Sequence, residues 1–344
     1  MSARLRVGVL MGGVSEERDV SLASGVQVAR ALREAGHDVV AIDSARGVLG
    51  PDEERALLDT GVQAAAPGSA ELDLLHTGDT RALTHAPEVA GADVLFLTLH
   101  GGAGEDGTLQ TLLDVAGLPY VGSGRVGCAL AMDKDLTKRL LRDGGVPTPD
   151  WIRGATPADE VVERLGLPVI VKPASGGSTV GLTLVKDRSD LDAATRLAAS
   201  SGDQPMYEAY VRGRELTVGI LGDEPLPVGE IIPAHEIFDY ECKYQPGLAQ
   251  EIFPADLDPD VAARVQAWAL RVHRLLRLRD FSRVDFILAP DGTPWCLEAN
   301  ALPGLTANSL LPKAARAAGI AFPTLCERIA RMGVDRARAR APAG

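Results

Sequence analysis

Aromatic residues, cysteine and excess positive charge are all scarce in this sequence. Phe, Trp and Tyr make up 4% of 344 residues, so leucine, valine and alanine must fill the cores that a 46% hydrophobic content allows. The four cysteines, Cys128, Cys242, Cys296 and Cys326, are far apart and form no Cys-x-x-Cys pair. That scatter excludes a disulfide framework or a zinc ribbon and leaves free thiols in a reducing compartment. A formal net charge of −12 excludes the broadly basic surface that nucleic acid or an anionic membrane requires. It leaves room for a local basic pocket that takes a phosphate. No apolar run approaches the roughly 20 residues needed to span a bilayer. The opening MSARLRVGVLMGG stops at a Gly-Gly pair before SEERD and reads as a strand, not a signal peptide. A soluble cytoplasmic protein without nucleic-acid or membrane partners is expected.

The length predicts two or three domains, at roughly 100–200 residues each. In the first third, the apolar runs LRVGVLM, HDVVAI and DVLFLTL are separated by helical patterns, of which SLASGVQVARALREAG is the clearest. Continuous apolar strands alternating with helices predict a parallel sheet covered on both faces. Residues 46–90 are rich in Gly, Pro and Ala and resist assignment. MDKDLTKRLLRD has helical spacing and stops at Gly144-Gly145. From Val169 onward, short alternating runs and frequent turns predict antiparallel sheet, then a helix from Pro259 to Leu276, a hairpin, and a last helix around residues 324–332. The basic tail DRARARAPAG is expected to fray.

The hairpin carries the first candidate site. Asp291-Gly292 marks a turn. A two-residue loop, or a four-residue loop over 290–293, sets Asp285 opposite Glu298 and Arg283 opposite Asn300. Alternation then puts these four polar side chains on one face, with Val284, Phe286, Leu288, Trp295, Leu297 and Ala299 on the other. Such a face suits plain solvation. It equally suits a hard divalent cation on nucleotide phosphates, with an arginine for an oxyanion. Facing carboxylates repel without a cation, which favours the metal. A second candidate is VIVKPASGGSTVG, where a strand ends in Lys172 and enters a loop of small residues whose N–H groups can approach phosphate. It lacks the order of a Walker loop and by itself is no more than a flexible turn. LHGGAGEDGTLQ and GGVSEERDVSLASG both lie at strand ends, where open α/β sheets bind ligands. There His100 is a candidate, Glu105 and Asp106 could simply cap a helix, and Glu17 and Asp19 would attract an ammonium group. FDYECKYQPG reads either as a surface loop or as a lid bringing Lys243 and Tyr244 to a ligand.

The order of these stretches, together with LPYVGSG, AMDKDLTK, GRELTV, RVDF, EANALPGLTANSL and PKAARAAGI, resembles the D-alanine–D-alanine ligases of the ATP-grasp superfamily. The resemblance runs from about Val7 to about Ile329. It implies a fold of class α/β plus α+β. An N-terminal parallel-sheet, Rossmann-like domain (1–128) would precede a two-lobed ATP-grasp unit: a small central lobe (129–213) and a C-terminal lobe (214–332), with a disordered tail over 333–344. It implies ATP and Mg²⁺ (or Mn²⁺), two D-alanines as substrates, an acyl-phosphate intermediate, peptidoglycan precursor synthesis and a homodimer. By the same resemblance Lys134, Lys172 and the lid residue Lys243 contact ATP phosphates. Glu208 and Val211 hold adenine, and Glu215 the ribose. Asp285, Glu298 and Asn300 hold the metal. Arg283 and the N–H of Gly304 stabilise the oxyanion. Glu17, in a network with Ser178 and Tyr244, binds the first ammonium, with His100 near that substrate. Ser309 and Leu310 receive the second carboxylate.

Three positions depart from the family pattern. Ser175-Gly176 stands where Arg-Glu is common, Ala209 where Lys or Pro is, and Ala301 where Thr is. Loss of two charges is expected to loosen the phosphate loop. The competing readings are a ligase joining a D-amino acid to another amino or hydroxy acid, and a nucleotide-binding protein without catalysis. Tyr244 favours the dipeptide, and the intact Arg283, Asp285, Glu298 and Asn300 favour catalysis.

Overall fold

The computed structural model describes residues 3–60, 86–177, 181–200, 202–236 and 247–340. The chain begins with β1 (Arg6–Met11), α1 (Arg18–Glu34), β2 (Asp38–Asp43), β3 (Gly47–Val48), α2 (Pro51–Thr60), α3 (Pro87–Ala90) and β4 (Val94–Leu97). These strands form one sheet in the order β3-β2-β1-β4, with β1 parallel to both β2 and β4. The parallel sheet expected from the three apolar runs is present. β1 and β4 are buried along almost their whole length, which is why they read as unbroken hydrophobic runs.

Next come α4 (Gly102–Glu105), α5 (Thr108–Ala116), α6 (Arg125–Met132) and α7 (Lys134–Asp143). α7 starts where the Asp133 carboxylate accepts from Leu136 N at 3.0 Å, a side-chain N-cap. A central sheet follows, built from β5 (Trp151–Arg153), β6 (Val169–Pro173), β7 (Thr183–Val185) and β8 (Pro205–Ala209) in the order β5-β8-β6-β7. All three of its pairings are antiparallel, and α8 (Ala158–Leu165) and α9 (Leu191–Ala199) complete this layer.

The third sheet holds β9 (Arg214–Leu221), β10 (Glu224–Pro225), β11 (Gly229–Pro233), β12 (Ala249–Ile252), β13 (Phe281–Leu288) and β14 (Pro294–Asn300). Its order is β12-β11-β9-β13-β14, with β10 paired to β9. Alternation along β9 and β13 sends Leu216, Val218, Ile220, Val284 and Phe286 into a core with Val265, Ala269 and Val272 of α10 (Pro259–Leu275). The opposite face is polar and belongs to the site. α11 (Leu310–Ala317) packs beside it, so close to β9 that a Cβ on Gly219 would lie 2.5 Å from Leu311 Cδ1.

α12 (Phe322–Arg340) returns to the first sheet, burying Leu325, Cys326, Ile329, Ala330 and Val334 in the core formed by β1, β2 and β4. The expected fraying from residue 333 is therefore corrected over 333–340. Arg336 is the reason: it pairs with the buried Asp280 and donates to the Tyr120 carbonyl. Asp280 also accepts from Gly122 N at 2.8 Å, so the tail helix closes a polar contact between two units. The described cysteines, Cys128, Cys296 and Cys326, are free and buried, as expected. Among the described residues, no helix is long and apolar enough to cross a membrane.

Arg336→Ala leaves the Asp280 carboxylate buried without its cation, a change that typically costs about 3 kcal/mol or more. Chemical denaturation should show a loss of at least about 2 kcal/mol. An unchanged midpoint would mean that the tail helix is held by its apolar face alone.

Candidate active site

The hairpin pairs Arg283 with Asn300 and Asp285 with Glu298, as alternation required. The route to that register differs from expectation. At the turn Leu288 faces Pro294, one residue tighter than expected, and a bulge between Asp285 and Phe286 restores the frame. Cys296 consequently takes the core position opposite Phe286, and Trp295 comes opposite Ile287. Leu297, expected on the apolar face, instead lines the cleft together with Ile287.

Asp285 is the most heavily bonded of the four polar residues. Arg283 donates to it from Nε at 2.9 Å and from Nη2 at 2.8 Å, a bidentate fork. Asn300 Nδ2 donates at 3.0 Å, which leaves the amide oxygen of Asn300 for another partner. Thr217 Oγ1 donates to Asp285 Oδ1 at 2.7 Å from the neighbouring strand. The sequence reading missed Thr217, although its alternation with Glu215 on β9 places both on the site face.

A cavity of about 530 Å³ opens above this face, between the central and third sheets. That is the size of a small-molecule site. Its apolar wall includes Ile170, Ala209, Val211, Ile287 and Leu297, and its charged wall includes Lys134, Lys172, Glu208, Glu215, Arg283, Asp285 and Glu298. Flat apolar walls with clustered cations suit a nucleotide. Lys172 Nζ donates to Glu208 Oε1 at 2.8 Å, and Glu208 is paired on its other oxygen with Lys138 at 2.6 Å. Burial pushes the Glu208 carboxyl up, but these two ammonium groups outweigh it and hold it below its usual range.

The phosphate-type loop is tied at its base. Ser175 donates both its N–H and its hydroxyl to Asp203 Oδ2, and Lys134 Nζ donates to Gly176 O at 2.5 Å. The loop also meets the first unit. A Cβ placed on Gly177, or on Gly101, would come 2.9 Å from Glu17 Oε2. Glu17 thus lies between the strand-end loop of the first sheet and the loop after β6.

His100 and Glu105 grip the segment after β14. His100 Nδ1 lies 3.0 Å from Leu302 O, and its Nε2 lies 3.4 Å from Ser24 Oγ. Burial lowers the His100 pKa, so the ring is neutral, donating at Nδ1 and accepting at Nε2. Glu105 accepts from Gly101 N at 3.1 Å and from Leu302 N at 3.3 Å. It does not cap α5. α1 adds Ser24 Oγ on Leu305 N at 3.3 Å and Gln27 Oε1 on Ala307 N at 2.8 Å. Gly304 sits within this held segment, where an added Cβ would come 3.0 Å from Ser309 Oγ. Ser309 and Leu310 open α11, whose first N–H groups are a ready anion site. Ser178, Lys243 and Tyr244 lie outside the described residues.

Fold and cleft together define an ATP-grasp enzyme: a parallel-sheet unit followed by two antiparallel lobes that enclose a nucleotide-sized cavity. The comparisons narrow this further. Residues 6–123 match the model of the D-Ala D-Ala ligase N-terminus, and residues 141–331 match that of the C-terminus. The chain belongs to the D-alanine–D-alanine ligase family. It is 41% identical over 339 residues to the D-alanine–D-alanine ligase of Desulforudis audaxviator, covering 96% of this chain and 99% of that one. With the Moorella thermoacetica ligase it shares 39% identity over 343 residues, covering 96% and 100%. A Bacillus anthracis D-alanine–D-alanine ligase solved with ATP superposes with a TM-score of 0.76 at 31% identity, covering 99% of this chain and all of that one. The D-Ala:D-Ser ligase VanG of Enterococcus faecalis gives 0.78 at 27% identity, covering 96% and 100%.

Burial, followed by the nearby Glu17 charge, raises the Glu105 pKa from 4.5 to about 7. An acid whose pKa rises on folding is destabilising once ionised. Its cost is absent below about pH 4.5 and complete above about pH 7. Relative to Glu105→Gln, the wild type should therefore lose thermal stability as pH rises from about 5 to about 8. A Tm difference that stays flat across that range would refute the shift.

Proposed function

We propose that this chain joins two D-alanines to D-alanyl-D-alanine at the expense of ATP, as a step in making peptidoglycan precursors. The observation that carries the reading is one cavity lined by the Gly176-Gly177 loop and the Asp285 cluster, with Glu17 against Gly177, in a chain of this family. A carboxylate for an ammonium, donors for phosphate and oxygen ligands for a cation are what this reaction needs side by side.

In the first step a carboxylate oxygen of one D-alanine attacks the γ-phosphorus of ATP, and ADP leaves. Lys134 and Lys172, joined by Lys243 from the lid segment, hold phosphate oxygens, while Glu208, Val211 and Glu215 position adenine and ribose. Glu17 holds the ammonium of that D-alanine, with Ser178, Tyr244 and His100 completing its surroundings. In the second step the amine of the other D-alanine attacks the acyl carbon. Arg283 and the Gly304 N–H stabilise the oxyanion that forms, and phosphate departs. Ser309 and the α11 N-terminus at Leu310 hold the second carboxylate. Closure protects the acyl phosphate from water.

The donor set fits a hard divalent cation: Asp285, Glu298 and the free amide oxygen of Asn300 offer oxygens only. Among the described residues, no group of three His, Cys, Asp or Glu side chains could hold a metal, and the proposed set uses the Asn300 amide in place of a third such group. Mg²⁺ or Mn²⁺ bound there supplies charge neutralisation to the phosphate oxygens. The division into units 1–128, 129–213 and 214–332, the homodimer and the cytoplasmic location are part of the same proposal and rest on the family alone.

Phosphate release with ATP, Mg²⁺ and D-alanine as the sole acid tests the reading. Release only when D-serine or D-lactate is added would reassign the second substrate, and no release with any D-acid would leave a binding protein. Glu298→Gln should lower kcat by about 10³, the effect of losing several kcal/mol of charge stabilisation. Retained activity would remove Glu298 from the metal set. Gly177→Ala pushes a methyl onto the Glu17 carboxylate and should raise the D-alanine KM about tenfold, with a smaller effect on ATP. An unchanged KM would separate Glu17 from the first substrate.

A further inference from the structure

Lys138 is the most completely buried charge beside the nucleotide cavity, and nothing in the reaction above uses it. It lies one turn after Lys134 on α7 and is 0% exposed. Its ammonium has three N–H donors and three oxygens around it. Thr148 Oγ1 lies at 2.7 Å, Pro149 O at 3.0 Å and Glu208 Oε2 at 2.6 Å. The Trp151 ring, 5.3 Å away, covers it further. Thr148 in turn donates to Cys296 O at 2.9 Å, which fixes that corner to β14 beside the bulge. Lys138 is therefore held by groups that do not depend on a ligand.

Lys172 is placed differently. It lies on the cavity wall, and its ammonium is bound to the remaining oxygen of Glu208 at 2.8 Å. A lysine that turns its ammonium toward a phosphate loosens its hold on that carboxylate. Were Lys172 the only cation on Glu208, its departure would strand a buried charge, which costs several kcal/mol. Lys138 removes that cost, because Glu208 stays paired when Lys172 leaves.

We propose that Lys138 is a positioning residue for ATP: it is the standing counter-ion of Glu208 and so frees Lys172 to engage a phosphate group. This rests on the reading that ATP occupies the cavity. Lys138 touches no substrate, so its effect passes wholly through Glu208 and Lys172.

The test compares wild type, Lys138→Met, Glu208→Gln and the double variant by calorimetric titration with ATP and with adenosine. Lys138→Met should weaken ATP about 10- to 100-fold, because Glu208 then retains Lys172. Adenosine carries no phosphate and should change by less than about threefold. Adding Glu208→Gln to Lys138→Met should bring ATP affinity back to the level of Glu208→Gln alone, whatever adenine contact that single variant loses, an outcome a merely structural role does not produce. Equal losses of ATP and adenosine, or no recovery in the double variant, would overturn the proposal. If Lys138→Met alone does not fold, the double variant is compared with Glu208→Gln. With Glu208 neutral, removing Lys138 should cost ATP less than about threefold, and a loss above about tenfold would overturn the proposal. Wild type that binds no ATP would instead overturn the ligase reading itself.

Discussion

The grip of the first unit on the segment after β14 is the constraint on which the site depends. Residues 302–307 have no regular partners of their own, and buried backbone groups must find some. His100 and Glu105 take the Leu302 carbonyl and N–H, Ser24 takes Leu305 N, and Gln27 takes Ala307 N. The donors and acceptors all come from α1, the loop after β4 and the end of α4. The segment they hold is more than 190 residues further along the chain. Without that grip, Gly304 and Ser309 would have no defined relation to Glu17, which lies beside Gly101 in the first unit. The placement of Gly304 and Ser309 relative to the first unit thus reduces to a handful of long-range hydrogen bonds, each of ordinary strength.

The buried carboxylates around the cleft show how the kind of partner decides the outcome. Asp285 has an arginine fork, an amide and a hydroxyl. Glu208 has two ammonium groups, and these outweigh burial. Glu105 has only backbone N–H groups, with another carboxylate nearby, and there burial wins. Formal charge separates the last two cases, since each carboxylate receives two principal donors. A charged donor stabilises a carboxylate roughly twice as well as a neutral one. Glu105 is consequently the acid at this site that remains partly protonated near neutral pH, next to the carboxylate assigned to the substrate ammonium.

Much of this was legible in the sequence, for identifiable reasons. The first sheet was readable because strands buried on both faces leave unbroken apolar runs. The pairing of Asp285 with Glu298 was expected from Asp291-Gly292 and strict alternation, and the chain reaches it through a tighter turn offset by a bulge. Leu297 was not, because a bulge leaves no mark in the residue pattern and shifts every side chain between itself and the turn. The tail was misread because its composition is that of a solvated segment. Its order comes from Asp280, whose position no local pattern connects to Arg336. Lys138 looked like one more lysine on an amphipathic helix. Only the fold shows that it points at Glu208, 70 residues on.

The departures from the family pattern follow the same physics. Ala301 is buried in the core beneath the hairpin, with Val284, Phe286 and Ala299. A threonine hydroxyl there would need an acceptor among apolar neighbours, whereas alanine leaves nothing to satisfy. The Arg283, Asp285 and Asn300 contacts stand without it, so the metal face does not require that hydroxyl for its geometry. The phosphate loop lacks the charged pair its relatives commonly carry, yet Asp203 holds Ser175 twice and Lys134 holds Gly176. Those bonds act at the base of the loop, next to β6. A loop anchored in this way keeps Gly177 against Glu17 while leaving the positive charge on this wall of the cavity to Lys134 and Lys172. How those lysines are themselves held then matters more: Lys134 is tied to Gly176 O, and Lys172 shares Glu208 with Lys138.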